Sequence, residues 1–259
     1  MNEILSKLAG NELVGFILVL ARVTPLFLLA PPFASPMIPP RARGVIAVGI
    51  SIGLAPIALH GQHVPSDPWT LAGLVLDGGL VGLGFAFCFM VLFAAIESAG
   101  AFADLDAGFS YGSQINPFNG NEAGPLSQFY SLVGIAIFFA IGGEVWVIRG
   151  LARTFKLVPL TAAPRLGTLI GGMVQAFGMV FVSALEIAAP VLIALIITDV
   201  AFGVVSRVVP QLNVFAVGFP AKVAVTLLVV AATIPFVGGW ISDQMSTSVG
   251  AALSALRVA

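Results

Sequence analysis

Charged residues and cysteine are scarce in this chain. Only 9% of its 259 residues are charged and 59% are hydrophobic, whereas soluble domains carry roughly 25% charged residues. The net charge of −1 excludes the strongly basic surface with which proteins bind nucleic acid. The single cysteine, Cys88, excludes an internal disulfide bond and a cysteine cluster for zinc. These shortages predict an integral membrane protein that has no nucleic-acid partner.

The motifs of common enzyme classes are also missing. The sequence contains no Gly-Lys phosphate loop, no Ser-His-Asp arrangement and no HExxH pair,. It also lacks a GxGD-like motif, which argues against an intramembrane aspartyl protease. The acids that could suggest one are Asp77, Asp104, Asp106 and Asp199. His60 and His63 lie near Asp67 without a further His or Cys nearby, so a polar loop is favoured over a metal site. We expect no catalytic residues, no metal and no cofactor.

Six apolar segments approach or exceed the roughly 20 helical residues that cross a bilayer. They are Leu13–Ala30, Gly44–Leu59, Leu71–Ala103, Leu126–Ile148, Leu166–Val205 and Val223–Ile241. The third and fifth segments are longer than one simple span. The sequence therefore predicts an all-α integral membrane protein, with about six apolar segments forming bent helical hairpins and a mid-chain re-entrant or plug loop.

Glu186 and Pro190 lie midway along the fifth segment. A carboxylate is costly against lipid and usually faces protein or a water-filled cavity, and an internal proline tends to kink a helix. Two interpretations fit equally well. The helix bends or turns back near Glu186–Pro190, or it is one long helix in which Glu186 bonds to a neighbour.

Basic residues are concentrated in two predicted loops. One follows the first segment and contains Arg41 and Arg43. The other follows the fourth segment and contains Arg149, Arg153, Lys156 and Arg165. Basic loops favour the cytoplasmic side, yet strict alternation of spans places these two on opposite sides. We therefore expect that one of segments two to four is not an ordinary crossing.

Several glycines are spaced four residues apart, which lets helix backbones approach closely. The pairs are Gly49–Gly53, Gly78–Gly82 and Gly167–Gly171. They favour a protein whose helices pack tightly on other helices, in the same chain or in partners.

The most informative polar stretch is Asp104–Pro125, between the third and fourth segments. It contains four glycines, three asparagines, two prolines and three acids, without Lys or Arg. Its large apolar side chains are Phe109, Tyr111, Ile115 and Phe118. Irregular backbone is not tolerated against lipid, so the stretch is expected inside protein or along a cavity, where apolar side chains can close a pore by excluding water. The alternative is an interfacial loop with aromatic residues at the headgroup level.

A second distinctive stretch follows the fifth segment and reads PQLNVFAVGFPAK, from Pro210 to Lys222. Pro210 is expected to stop one helix, and Asn213 to cap the next. Gly218 and Pro220 are expected to break the apolar run again before Lys222. These signals predict a tight turn between two hydrophobic helices.

This run resembles the signature of the FliR/SctT family of type III secretion, the export-gate proteins of flagella and injectisomes. Weaker similarities follow in the family's order: Arg22 with Pro25, the turn Pro31–Arg43, the loop Gly108–Pro117, and Glu186 with Pro190. The resemblance covers most of the chain. Lys222 after Gly-Phe-Pro favours the flagellar branch.

The resemblance implies a non-enzymatic membrane core subunit of the flagellar type III export apparatus. It implies a multi-pass protein of the bacterial inner membrane at the flagellar basal body. FliP-like and FliQ-like subunits would form with it a gated pore for unfolded flagellar polypeptides, alongside FlhB-like and FlhA-like proteins. It also implies one membrane-embedded domain, 1–259, with a FliP-like part (roughly 1–150), a plug loop (104–125) and a FliQ-like part (roughly 151–259).

Two sets of residues acquire roles from the resemblance. The pore plug would comprise Gly108, Phe109, Ser110, Tyr111, Gly112, Ile115, Asn116, Pro117 and Phe118. The structural and assembly set would comprise Arg22, Pro25, Glu186, Pro190, Pro210, Asn213, Gly218, Pro220 and Lys222. Where the family's plug often has two aromatic residues after its leading Gly-x-Ser, this chain has Tyr111 and then the polar Gln114, which leaves the sealing side chains open.

Three other functions remain open. An injectisome subunit of the SctT type differs only in the system it serves. A self-contained secondary transporter or channel would also use broken helices and intramembrane carboxylates, although the inverted repeats typical of transporters are not evident. A scaffold without a pore would need no plug.

Overall fold

The computed structural model describes residues 2–62, 64–65, 67–109, 123–211 and 213–255. In these ranges the regular structure is entirely α-helical, which confirms the predicted fold class. The helices described there are α1 (Asn2–Leu29), α2 (Pro31–Ala34), α3 (Pro40–Leu59), α4 (Pro68–Ala107), α5 (Pro125–Ala140), α6 (Gly143–Leu157), α7 (Leu166–Val208) and α8 (Val214–Ala255).

Proline marks the start of four helices. Pro31, Pro40, Pro68 and Pro125 each occupy the first position of a helix. The first N–H of a helix has no partner within it, and the fixed φ of proline suits the helical conformation, so proline is well tolerated there. Each of these prolines therefore marks the point where a connection ends and a helix begins.

Asp67 caps the start of α4 from outside the apolar part of that helix. Its Oδ2 accepts hydrogen bonds from the Thr70 N–H at 2.9 Å and the Thr70 hydroxyl at 2.8 Å. The backbone hydrogen bond is the larger cause, and together the two bonds hold the pKa of the exposed Asp67 carboxyl below its ordinary value,. Asp67, the acid near His60 and His63, is therefore a helix cap. His63 lies outside the described residues, and among the described ones no group of three or more His, Cys, Asp or Glu is placed to hold a metal.

Within the described residues, five helices are long and apolar enough to cross a membrane: α1 (from Glu12), α3, α4, α7 and α8 (to Ser254). Helices α5 and α6 pass the same test only together, as a bent pair. The total of up to six agrees with the six apolar segments. The third and fifth segments are present as single helices of 40 and 43 residues. Because several helices can cross a bilayer, the chain is a multi-pass membrane protein.

The predicted fourth segment, Leu126–Ile148, is not one helix. Helix α5 ends at Ala140, and α6 begins at Gly143. Between them Gly142 has a φ of 70°, which is in the left-handed region that glycine enters without steric penalty. The break agrees with the expectation that one of segments two to four is not an ordinary crossing.

The two predicted basic loops are wrong for all of their basic residues except Arg165. Arg41 and Arg43 lie in the first turn of α3, because Pro40 begins that helix earlier than expected. The Arg43 guanidinium folds back to donate to the backbone oxygens of Ser35 at 2.7 Å and Ile38 at 3.0 Å. Three of the later residues lie on α6, which continues to Leu157. They are Arg149, Arg153 and Lys156, whereas Arg165 precedes α7.

The chain forms two compact units. Unit 1 comprises Met1–Leu92, Phe139–Phe177 and Gln244–Ala259, and unit 2 comprises Phe93–Phe138 and Gly178–Asp243. The predicted FliP-like and FliQ-like parts are defined by resemblance rather than compactness, and they stay a prediction.

Close helix packing in unit 1 depends on small residues of α4. A Cβ on Gly82 would collide with the Arg22 carbonyl oxygen, and a Cβ on Gly78 would lie 3.5 Å from the Leu18 carbonyl oxygen. The Gly78–Gly82 pair therefore brings α4 against α1 as predicted. The four glycines of the other two pairs face open space, with no atom within 4 Å of a built Cβ: Gly49, Gly53, Gly167 and Gly171.

Candidate functional site at the ends of the Gly108–Gly124 segment

Asp104, in the last turn of α4, binds the start of α5. Its side chain is 1% exposed, and its two carboxylate oxygens accept hydrogen bonds from the N–H groups of Leu126 at 2.9 Å and Ser127 at 2.8 Å. These are first-turn N–H groups, which have no partner inside α5. A carboxylate is a strong acceptor there, and its charge is favourable at the positive end of the helix dipole. Asp104 therefore caps a helix that begins about 20 residues later.

The backbone of Asp104 also ends α4. The Phe109 N–H donates to the Asp104 carbonyl oxygen at 3.0 Å, across Gly108, whose φ is 87°. This is the arrangement with which helices commonly end on a left-handed glycine. One residue thus terminates α4 with its carbonyl group and initiates α5 with its carboxylate.

Glycines allow this close approach. A Cβ on Gly124 would collide with the Asp104 carboxylate, and a Cβ on Gly100 would lie 2.6 Å from the Ser127 Cα and 2.7 Å from the Leu126 carbonyl oxygen. The Ser127 hydroxyl adds a hydrogen bond to the Glu97 carbonyl oxygen at 3.1 Å. The two ends of the Gly108–Gly124 segment are therefore held beside each other by packing and hydrogen bonds.

Only the two leading residues of the predicted plug are described. Gly108 takes the left-handed conformation and Phe109 is half-buried. The remaining plug residues lie outside the described residues: Ser110, Tyr111, Gly112, Ile115, Asn116, Pro117 and Phe118. The anchoring of the segment is thus defined, and its role as a plug stays a prediction.

Lys222 joins three helices close to the same helix end. Its Nζ lies 2.6 Å from Oδ1 and 2.7 Å from Oδ2 of Asp199 on α7. It also donates to the backbone carbonyl of Asp106 at 3.3 Å, in the last turn of α4. A cation is favourable at the C-terminal end of a helix, where carbonyl groups lack intrahelical partners. Asp104 and Asp199 therefore have structural partners, and neither residue supports the interpretation as an intramembrane protease.

The Pro210–Lys222 run follows its prediction at the start and departs from it later. Helix α7 ends at Val208, and the Asn213 Oδ1 accepts from the Ala216 N–H at 3.1 Å, so the predicted cap of α8 is present. The predicted break at Gly218 and Pro220 is wrong, because both residues lie within α8. Membrane helices tolerate internal glycine and proline, because surrounding groups satisfy the freed carbonyl.

Helix α7 is continuous through Glu186 and Pro190. The Trp240 Nε1 donates to the Glu186 Oε2 at 3.3 Å. Of the two interpretations of the fifth segment, the long helix with Glu186 bonded to a neighbour is confirmed, and the hairpin is wrong. The contacts of α7 with α8 pair Glu186 with Trp240 and Asp199 with Lys222, so the two helices run antiparallel within unit 2.

Arg22 is a buried cation in unit 1, held without a carboxylate among the hydrogen bonds described. The residue is 1% exposed. Its Nη1 donates to the backbone oxygens of Val158 at 2.7 Å and Thr154 at 3.3 Å, and its guanidinium carbon lies 4.6 Å from the centre of the Phe155 ring. These partners form the C-terminal end of α6, where a cation is stabilised by carbonyl groups and by the aromatic face. Pro25, one turn later, lies inside α1.

Long apolar helices and a segment clamped between two of them define a helical multi-pass membrane protein. The family described as bacterial export proteins, family 1, matches residues 13–248. The chain belongs to this family.

The chain is similar to flagellar biosynthetic proteins and to a surface presentation of antigens protein. The chain is 27% identical over 218 residues to the flagellar biosynthetic protein FliR of Escherichia coli, covering 84% of this chain and 83% of the relative. It is 29% identical over 233 residues to FliR of Bacillus subtilis, covering 86% and 88%. It is 26% identical over 227 residues to the surface presentation of antigens protein SpaR of Salmonella typhimurium, covering 86% and 82%.

Proposed function

We propose that this chain is a membrane core subunit of the flagellar type III protein export gate. The proposal rests on the family membership and on the flagellar relatives, which match over most of their length. In this proposal the chain acts with FliP-like and FliQ-like subunits, near FlhB-like and FlhA-like proteins, in the inner membrane at the basal body. It serves as a structural gate subunit and performs no catalysis.

The structural observation that carries the proposal is the Asp104 clamp. It draws together both ends of the Gly108–Gly124 segment between α4 and α5. A conduit for unfolded chains must admit varied side chains and yet retain ions when idle. A glycine-rich segment with aromatic side chains, fixed at both ends, suits that task because apolar side chains can close a pore by excluding water. The plug role assigned to residues 108–118 is part of this proposal.

Deleting Ser110–Asn119 tests the plug. We expect membranes that contain the variant gate to leak small ions, because an apolar constriction that excludes water has been removed. Leakage is measured as sodium or potassium flux across inner-membrane vesicles. A second variant replaces the same residues by a Gly/Ser segment of equal length, which keeps the spacing and removes Tyr111, Ile115 and Phe118, and it should leak as well. Unchanged ion permeability in both variants, with the complex assembled, would overturn the plug role.

The injectisome is the second candidate, favoured by the SpaR relative. Disrupting the gene in its own host separates the two. The flagellar proposal expects loss of flagellar filaments and swimming, restored by the wild-type gene on a plasmid, with injectisome secretion unaffected. Normal filaments together with lost secretion of virulence proteins would favour the injectisome instead.

A further inference from the structure

Helix α6 presents three basic side chains on one exposed face. Arg149, Arg153 and Lys156 are spaced four and three residues apart, so they share one side of the helix,, and each is exposed. These three residues form the basic stripe. Glu144, the sole acid of α6, lies in its first turn and on another side of the helix. Within the described part of the chain, no member of the basic stripe forms an ion pair.

The opposite face of α6 is packed, which fixes the direction of the basic stripe. A Cβ on Gly150 would lie 2.9 Å from the Phe85 ring of α4 and 3.2 Å from the Val249 side chain of α8. The buried guanidinium of Arg22 binds two backbone oxygens at the C-terminal end of α6. Because these contacts hold the other face, the basic stripe points away from the helices that α6 packs on.

The basic stripe lies level with apolar stretches of two membrane helices. Arg22, which binds the end of α6, lies within the apolar stretch Glu12–Leu29 of α1, roughly 10 Å from its nearer end,. Phe85, which packs on α6, lies in the part of α4 that carries no charge between Asp77 and Glu97. Long basic side chains reach the bilayer surface only from near the ends of a span. Three cations at this level are therefore too costly to face hydrocarbon, and they need water or anionic groups.

The dipole of α6 explains only part of the basic stripe. A cation is favoured in the last turn of a helix, which accounts for Lys156,. Arg149 lies about two turns earlier, beyond the reach of that effect. Charged residues at membrane depth usually face the interior of a bundle or a water-filled cavity and mark the path of a transported species. A water-filled space along this face of α6 accounts for all three cations.

We propose that the basic stripe lines the water-filled conduit of the export gate and contacts acidic residues of the unfolded polypeptide that passes. The inference rests on the proposed function, which supplies the conduit. At physiological salt the stripe attracts carboxylates within about 8 Å. Each contact between exposed charges is weak, so the stripe attracts acidic stretches of the polypeptide without retaining them.

Two secreted reporters test the charge preference. They differ in one unfolded stretch, which is acidic in the first and carries the matching amides in the second. The triple variant Arg149→Glu, Arg153→Glu, Lys156→Glu should slow secretion of the acidic reporter at least fivefold and that of the amide reporter less than twofold. The three corresponding changes to Gln should give an intermediate effect. Arg41→Glu, at an exposed cation on α3, is the control and should leave the ratio of the two rates unchanged.

Cross-linking tests the contact itself. A secreted polypeptide fused to a domain that resists unfolding is arrested in the gate, and a photo-reactive residue replaces Arg153. We expect a cross-link from position 153 to the arrested polypeptide. The matched control is position 52, where Ile52 is 60% exposed on the apolar helix α3, and it should give no such cross-link. Adducts from position 153 only to lipid or only to another gate subunit would overturn the inference.

The remaining outcomes separate this inference from the proposed function. Equal slowing of both reporters by the Glu variant would overturn the inference. Loss of co-purifying gate subunits in both the Glu and the Gln variants would also overturn it, because the stripe would then be an assembly contact. If disrupting the gene leaves both reporters secreted, the proposed function itself fails. If disruption blocks both reporters while the triple variants treat them alike, only the basic-stripe inference fails.

Discussion

At the level of single residues, Asp104 serves both helices that border the Gly108–Gly124 segment. Its carbonyl oxygen accepts the N–H that closes α4, and its carboxylate accepts two N–H groups that open α5. Buried charge is tolerated only when it is hydrogen-bonded, and this carboxylate is bound by two backbone donors. The position is therefore sensitive to any change that removes its acceptors.

Asp104→Ala should destabilise the chain by about 2–4 kcal/mol, because two buried N–H groups lose their acceptor and the helix cap is lost. For a chain of this size this corresponds to a fall of several degrees in the thermal midpoint in detergent. Asp104→Asn keeps one acceptor oxygen and should lose less.

Asp106→Ala is the matched control for the Asp104 variants, two residues further along the same helix. Asp106 contacts Lys222 through its backbone carbonyl, which alanine retains. A midpoint for Asp106→Ala as low as that of Asp104→Ala would contradict the cap, since both changes would then act through the loss of an acid alone.

Asp104 and Arg22 show the reach of sequence reasoning at the residue scale. Arg22 acquired its assembly role only through the family resemblance, because its partners Thr154 and Val158 lie more than 130 residues away. The signal for Asp104 was available at α5: Gly124 precedes Pro125 and offers no side-chain acceptor for the first turn. A helix start without a local cap needs an acceptor from elsewhere. Which of the chain's acids supplies it depends on packing that no local pattern records.

At the level of elements, hydropathy predicts the helices well and their breaks poorly. The apolar runs correspond to α1, α3, α4, α7 and α8, since run length is a direct consequence of the bilayer. Proline is a poor indicator of helix breaks in this chain. Pro190 and Pro220 lie inside continuous helices, whereas the fourth segment breaks at Gly142 without any proline. In a packed membrane helix neighbouring groups satisfy a freed carbonyl, so the consequence of a proline depends on its surroundings.

Gly142→Ala should cost about 1 kcal/mol, because alanine is strained at the φ of 70° that joins α5 to α6,. A β-branched residue, as in Gly142→Val, should cost more. The measurement is again the thermal midpoint in detergent.

Gly49→Ala is the opposite case, and it serves as the control. It lies inside α3 with open space where its Cβ would be, so it should be neutral or stabilising by roughly 0.5–1 kcal/mol. Equal effects at Gly142 and Gly49 would contradict the role of backbone conformation at the break.

At the level of the whole molecule, many apolar side chains are left exposed by the chain's own fold. Large side chains remain exposed along α7 and α8, among them Ile197 at 64% and Leu228 at 72%. Exposed apolar faces of this extent are expected against lipid or against partner helices. Composition alone predicts a membrane protein, but it does not distinguish these two environments.

The central claim is that this chain works as one subunit of an export gate, and purification from its own host tests it most directly. An affinity tag on the chain, followed by extraction in mild detergent and native mass measurement, gives the composition of the complex. The account predicts this chain together with FliP-like and FliQ-like membrane subunits. A stable monomer or homo-oligomer without those subunits would contradict it, and would favour a self-contained transporter or channel.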